Sequence, residues 1–107
     1  MSNQTAGEWL RSQGLSITDI DFIETILVAT STAKGFKSKL DEVNLTVQKS
    51  FPDKKVEIDS NLTFWQFEKL LHDNEVYIDI NELLIRYRKQ GFCAELCKQL
   101  LDSWSVK

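Results

Sequence analysis

Histidine, cysteine and clustered carboxylates do most of the bond-making near neutral pH, and this chain holds few of them. His72 is its single histidine, so any Ser-His-Asp or Cys-His device must be built around it. It shares a helical side with Trp65 and Lys69, opposite Phe67 and Leu70. Near a helix C-terminus, a partial positive charge there is favoured by the dipole alone. No Gly-x-Ser-x-Gly elbow, Walker loop or Gly-x-Gly-x-x-Gly fingerprint occurs. The expectation is a chain that is not an enzyme.

Cys93 and Cys97 lie at i and i+4 and share a face, where two thiolates could contribute to a zinc site. The usual spacing needs a second pair of ligands, and none follows. Both cysteines fall on an apolar stripe with Leu96 and Leu100 and read as small core residues, so no metal or other cofactor is expected. Ile78-Asp79-x-x-Glu82-Leu83 matches the second half of an EF-hand loop. That register places Leu71 first and Val76 sixth, where the loop requires a carboxylate and a glycine. What remains of the match is helix-capping grammar.

Two charged groups could bind rather than react. Arg86, Arg88 and Lys89 are the candidate nucleic-acid contacts. Cations also suit the last turn of a helix, Tyr87 between them points to the core face, and Asp73, Glu75, Asp79 and Glu82 surround the run with carboxylates. The net charge is −3 and evenly spread: residues 1–53 carry five Lys/Arg against seven Asp/Glu, and residues 54–107 carry eight against nine. A nucleic-acid partner is therefore not the expected one. Asp19, Asp21 and Glu24 form an acidic arc that helps start a helix and could also dock a basic partner and steer its approach.

Some apolar residues fit no core stripe. Trp65 lies opposite Phe64, Phe67 and Leu71, and Ile85 lies opposite Ile80, Leu83, Leu84 and Tyr87. Either these helices are buried on two sides, or the two residues mark a patch for another chain, hetero-partner or self. Trp65 and Ile85 hold the same place in a weak echo, in which Asp53-x-x-Val56-x-Ile58-Asp59-x-Asn61 recurs as Asp73-x-x-Val76-x-Ile78-Asp79-x-Asn81. Trp9 and Trp104 are expected as core anchors near the two ends.

The elements that must position these residues follow from caps and periods. Thr5-x-x-Glu8 has the form of a capping box and Gly14 that of a stop, predicting a first helix over about 6–13. Ser16 or Thr18 opens a second helix with two adjacent apolar stripes, Ile20/Ile23/Leu27/Thr30 and Phe22/Ile26/Ala29/Ala33. Gly35 breaks it, and a third helix runs to Phe51, closed by Pro52. Val43, Leu45 and Val47 also alternate, which leaves a strand reading open at its end. Lys55–Asp59 and Glu75–Ile80 alternate well enough for short strands. Thr63 with Gln66 opens a helix over about 64–73, Asp79 with Glu82 opens another that ends at Gly91, and Cys93 to Trp104 forms the last.

These elements fit one domain over 1–107, with 42% hydrophobic and 27% charged residues, an ordinary composition for a folded chain. The start lacks the basic and apolar regions of a signal peptide, and the apolar-rich stretch 17–33 is broken by Asp19, Asp21 and Glu24, so neither secretion nor a membrane partner is expected. A cytoplasmic setting is the default. The expected fold is mainly α, a compact bundle of five to six helices with at most a short two-stranded ribbon (55–59, 75–80). The expected function is a protein-interaction domain that neutralises or regulates a partner, as immunity proteins, antitoxins and adaptors do, an analogy of class alone. Its rivals are a small nucleic-acid-binding regulator and a self-assembling subunit that dimerises through Trp65 and Ile85.

Overall fold

Short polar side chains decide where most of the helices begin. The Thr5 hydroxyl accepts the Glu8 N–H and the Glu8 carboxylate accepts the Thr5 N–H, so α1 (Ala6–Ser12) opens on a complete capping box. That bond to the Thr5 N–H, first, and the Thr5 side chain, second, hold the Glu8 carboxyl below its usual range. Ser16 caps α2 (Ile17–Gly35) through the Asp19 N–H. A 3-10 turn at Lys37–Lys39 then leads into α3 (Leu40–Ser50). Thr63 and Gln66 repeat the reciprocal box at α4 (Phe64–Asp73), and Asp79 caps α5 (Ile80–Gln90) through the Glu82 N–H at 3.1 Å. The last helix is α6 (Ala94–Ser105).

This computed structural model describes residues 4–105. The architecture is mainly α: six α-helices and no strand among the described residues. Its radius of gyration of 13.2 Å matches the roughly 13 Å of a folded chain this long. The reading of one domain extends to both ends, where residues 1–3 and 106–107 lie outside the described ones.

Helix α6 packs on α5, α4 and α2, α1 bridges α2 and α5, and α3 lies along α2. All eight residues of the two α2 stripes are buried, which makes α2 the helix packed from several sides. Helix α3 is peripheral: Val47 is buried, Leu40 and Val43 are partly so, and Leu45 is exposed. An i,i+4 pair facing inward with Leu45 outward is helical spacing, so the strand alternative at 43–47 falls. Two helix starts are stitched to distant elements. The Ala6 N–H reaches the Gln90 Oε1 at 2.8 Å, and the Phe64 N–H reaches the Ser103 Oγ at 2.9 Å.

The expected ribbon does not form among the described residues, for two reasons. Glu75, its intended second start, is the left-handed closure of α4 with φ 63°: its N–H bonds His72 O and the Val76 N–H bonds Leu71 O. With Asp79 capping α5, too little chain is left to pair. The backbone of the first segment is bonded elsewhere. Asn74 accepts the Lys55 N–H at 2.7 Å and donates to Lys55 O at 2.9 Å, and Asn44 does the same for Ile58 at 2.6 and 3.0 Å. Side-chain amides replace the partner strand.

Candidate functional site

Helix α2 buries its two stripes but leaves Val28 outside both, and Val28 is 48% exposed. Packing the peripheral α3 beside it creates two adjoining clefts that share Thr25 and Val28. The larger, about 540 Å³, is lined by Asp21, Glu24, Thr25, Val28, Ser50, Phe51 and Phe92. The second, about 330 Å³, continues along Ala29, Thr32, Lys39, Glu42, Val43, Thr46 and Val47. From Asp21 to Thr32 the pair follows α2 for about 17 Å at helical rise. The walls alternate apolar side chains (Val28, Ala29, Val43, Val47, Phe51 and Phe92) with the hydroxyls of Thr25, Thr32, Thr46 and Ser50, and carry carboxylates at Asp21, Glu24 and Glu42 against one cation, Lys39.

The acidic arc divides. Asp19 is tied to Lys54 at 2.8 Å, and the same ammonium sits 5.4 Å over the Phe22 ring, so this pair clamps the turn after α3 onto α2. Phe51 packs edge-on against Phe22 at 5.3 Å in the same clamp. Glu24 accepts the Tyr87 hydroxyl at 2.9 Å. Burial first, and this carboxylate second, push the Tyr87 phenol well above its ordinary range. Asp21 is exposed on the cleft wall. The structure thus brings Asp21 and Glu24 to one cleft and assigns Asp19 to a structural pair.

The remaining candidates sit apart from this cleft's lining. Trp65, 41% exposed, belongs to an aromatic group in which Phe64 lies 5.2 Å from Trp65 and 5.9 Å from Trp104. Trp104 is itself 42% exposed, which corrects its expected role as a buried anchor: Phe64 takes the buried place and leaves the indole on its flank. Trp9 is buried, as an anchor should be. Ile85 is 37% exposed on α5. Arg86 is held over the Trp9 ring at 4.9 Å with its Nε 3.5 Å from a Glu82 oxygen, whereas Arg88 and Lys89 are exposed in the last turn of α5. The basic run is therefore split between a packing role and a solvated one.

His72 is exposed, with its ring 5.2 Å from Tyr77. Burial pushes the Cys97 thiol up to about 12 and also raises Cys93, so both stay protonated at neutral pH. The Cys97 Sγ donates to Phe92 O at 3.7 Å. No helix among the described residues is long and apolar enough to cross a membrane.

Sequence reasoning missed Val28, Phe51 and Glu42 as parts of one surface. Val28 carried a signal, since it is the one large apolar residue of the buried part of α2 that belongs to neither stripe. Phe51 and Glu42 carried none, because their place depends on how α3 lies against α2. No family model matches the chain, and neither the curated proteins nor the solved structures compared with it give a match.

Proposed function

We propose that this chain is a non-enzymatic interaction protein that holds another protein in the cleft along α2, and by occupying that partner's surface neutralises or regulates it. The observation that carries the reading is Val28, half exposed at the junction of two clefts, with Asp21 and Glu24 at one end. An apolar floor with charges at its margin is the anatomy of a docking site, where burial supplies affinity and charge supplies register and approach rate.

Capture from a native lysate on immobilised chain, followed by mass spectrometry, tests it when run beside Val28→Asp and Asp21→Lys. Both positions lie at the surface, so each variant should lose no more than about 1–2 kcal/mol and stay folded. The expected result is a partner retained by the parent and lost from both variants. Equal recovery on all three surfaces contradicts the proposal.

The aromatic group around Phe64 favours a second reading, self-association through Trp65 and Trp104, since exposed tryptophans are common interface anchors. Light scattering across concentration separates the two. A dimer that Trp65→Ala dissolves supports the second reading, and a monomer at all concentrations removes it.

A further inference from the structure

We infer that the occupant of the α2–α3 cleft is an amphipathic helix of about three turns with two lysines or arginines in one terminal turn, seated against Asp21 and Glu24. The inference rests on the interaction role proposed above and names its partner class. Length comes first. The lining from Asp21 to Thr32 extends about 17 Å, which a helix of about eleven residues matches.

Backbone chemistry selects a helix over an extended peptide. Most of the lining comes from α2 and α3, whose backbone groups bond within their own helices, with Lys39, Phe51 and Phe92 added from the flanking turns, and no sheet edge among the described residues offers itself for strand addition. An extended peptide on Val28, Phe51 and Val43 would find only the scattered hydroxyls of Thr25, Thr32, Thr46 and Ser50 for its own row of N–H and C=O groups. A helix brings them already satisfied and presents only side chains.

Charge sets direction. Asp21 and Glu24 make one end negative, whereas Lys39 and Glu42 at the other end offset each other. The Tyr87 hydroxyl fixes Glu24 at 2.9 Å, so a cation meets a carboxylate that is already ordered and little side-chain freedom is lost on binding. A second copy of this chain is a poor occupant. The helix that ends in its exposed Arg88 and Lys89 has Leu83, Leu84 and Tyr87 fully buried and shows only Ile85, and the exposed turn of Phe36, Lys37 and Lys39 is less than three turns long, so neither presents the apolar stripe the cleft's length asks for.

A display library of helical peptides about twelve residues long, selected on the full chain at low salt, tests this. The expected winners carry apolar residues at i, i+3/i+4 and i+7 with two Lys/Arg at one end. They should bind Asp21→Lys at least tenfold more weakly and Val28→Asp more weakly still. Replacing their basic pair by glutamate should restore binding to Asp21→Lys. Winners that are neutral or acidic, winners indifferent to Val28→Asp, or no winners at all overturn the inference. If lysate capture depends on Val28 while the winners are not basic helices, the interaction role stands and only this partner class falls.

Discussion

The segment joining α3 to α4 and the cleft along α2 are both rich in polar side chains, and they use them in opposite ways. Around residues 51–63 polar side chains bond the segment's backbone, while Asp53, Glu57 and Asp59 stay exposed: Gln48 donates to Phe51 O and Lys54 O, Asn44 and Asn74 bracket Ile58 and Lys55, and Lys54 pairs with Asp19. Along the cleft, Asp21 and Glu42 stand exposed beside partly buried apolar walls. A polar residue that completes a backbone hydrogen bond explains itself by folding. One that flanks exposed apolar surface does not, and that contrast is the reason for placing function at the cleft.

The largest effect should come from removing an inward bond. Asn74 is buried and makes hydrogen bonds to the Lys55 N–H, Lys55 O and Leu70 O. Asn74→Ala leaves buried backbone groups unpaired and should lower unfolding free energy by roughly 2–4 kcal/mol in a urea titration. Asn74→Asp keeps an acceptor for the Lys55 N–H but sets a buried carboxylate oxygen against Lys55 O and Leu70 O, and should lose at least as much. A loss under about 0.5 kcal/mol for Asn74→Ala would mean that the backbone of residues 51–63 does not depend on this side chain.

A loss of intermediate size should appear in alkali. Burial raises the Cys97 thiol from 9.0 to about 12, and burial with the Glu24 bond raises Tyr87 from 10.0. Both groups hold their protons more tightly folded than unfolded, so their contribution is complete below about pH 9. Stability should then fall as pH rises from 9 toward 12. Cys97→Ala should flatten the start of that decline and leave the part above pH 10 due to Tyr87. A urea midpoint constant from pH 8 to 11 would contradict the stated burial of both groups.

The smallest effect has the opposite sign. Thr30 is fully buried in α2, and its hydroxyl has no hydrogen-bond partner among the described residues. Thr30→Val should raise stability by about 1 kcal/mol, because a methyl replaces a desolvated hydroxyl. A destabilised variant would mean that the hydroxyl is satisfied in solution.

How much of this the sequence displayed follows from the range of the interactions. Local grammar was largely legible: the boxes at Thr5 and Thr63, the cap at Asp79, the start of α2, where Ser16 and not Thr18 is the cap, and the stop at Gly91, where φ 81° suits glycine and the Phe92 N–H closes onto Tyr87 O. The echo at 53–61 and 73–81 misled, because alternating apolar residues suggested strands while Asn44 and Asn74, outside the first copy, supplied its backbone partners. Glu75 in the left-handed region was equally hidden, since its residue type argues against that conformation. The site was half legible. Asp21 and Glu24 were readable as an acidic arc, yet the pairs Asp19–Lys54 and Glu24–Tyr87 span 35 and 63 residues. No local pattern separates an acid bonded within the fold from one left at a cleft.

Carboxylate footprinting by carbodiimide labelling and mass spectrometry, on the free chain and on the captured complex, tests the central claim most directly. The account predicts that Asp21 and Glu42 lose reactivity in the complex while Asp53 and Asp59 label as before. Protection at Asp53 and Asp59 with Asp21 still reactive would move the working face off α2 and contradict it.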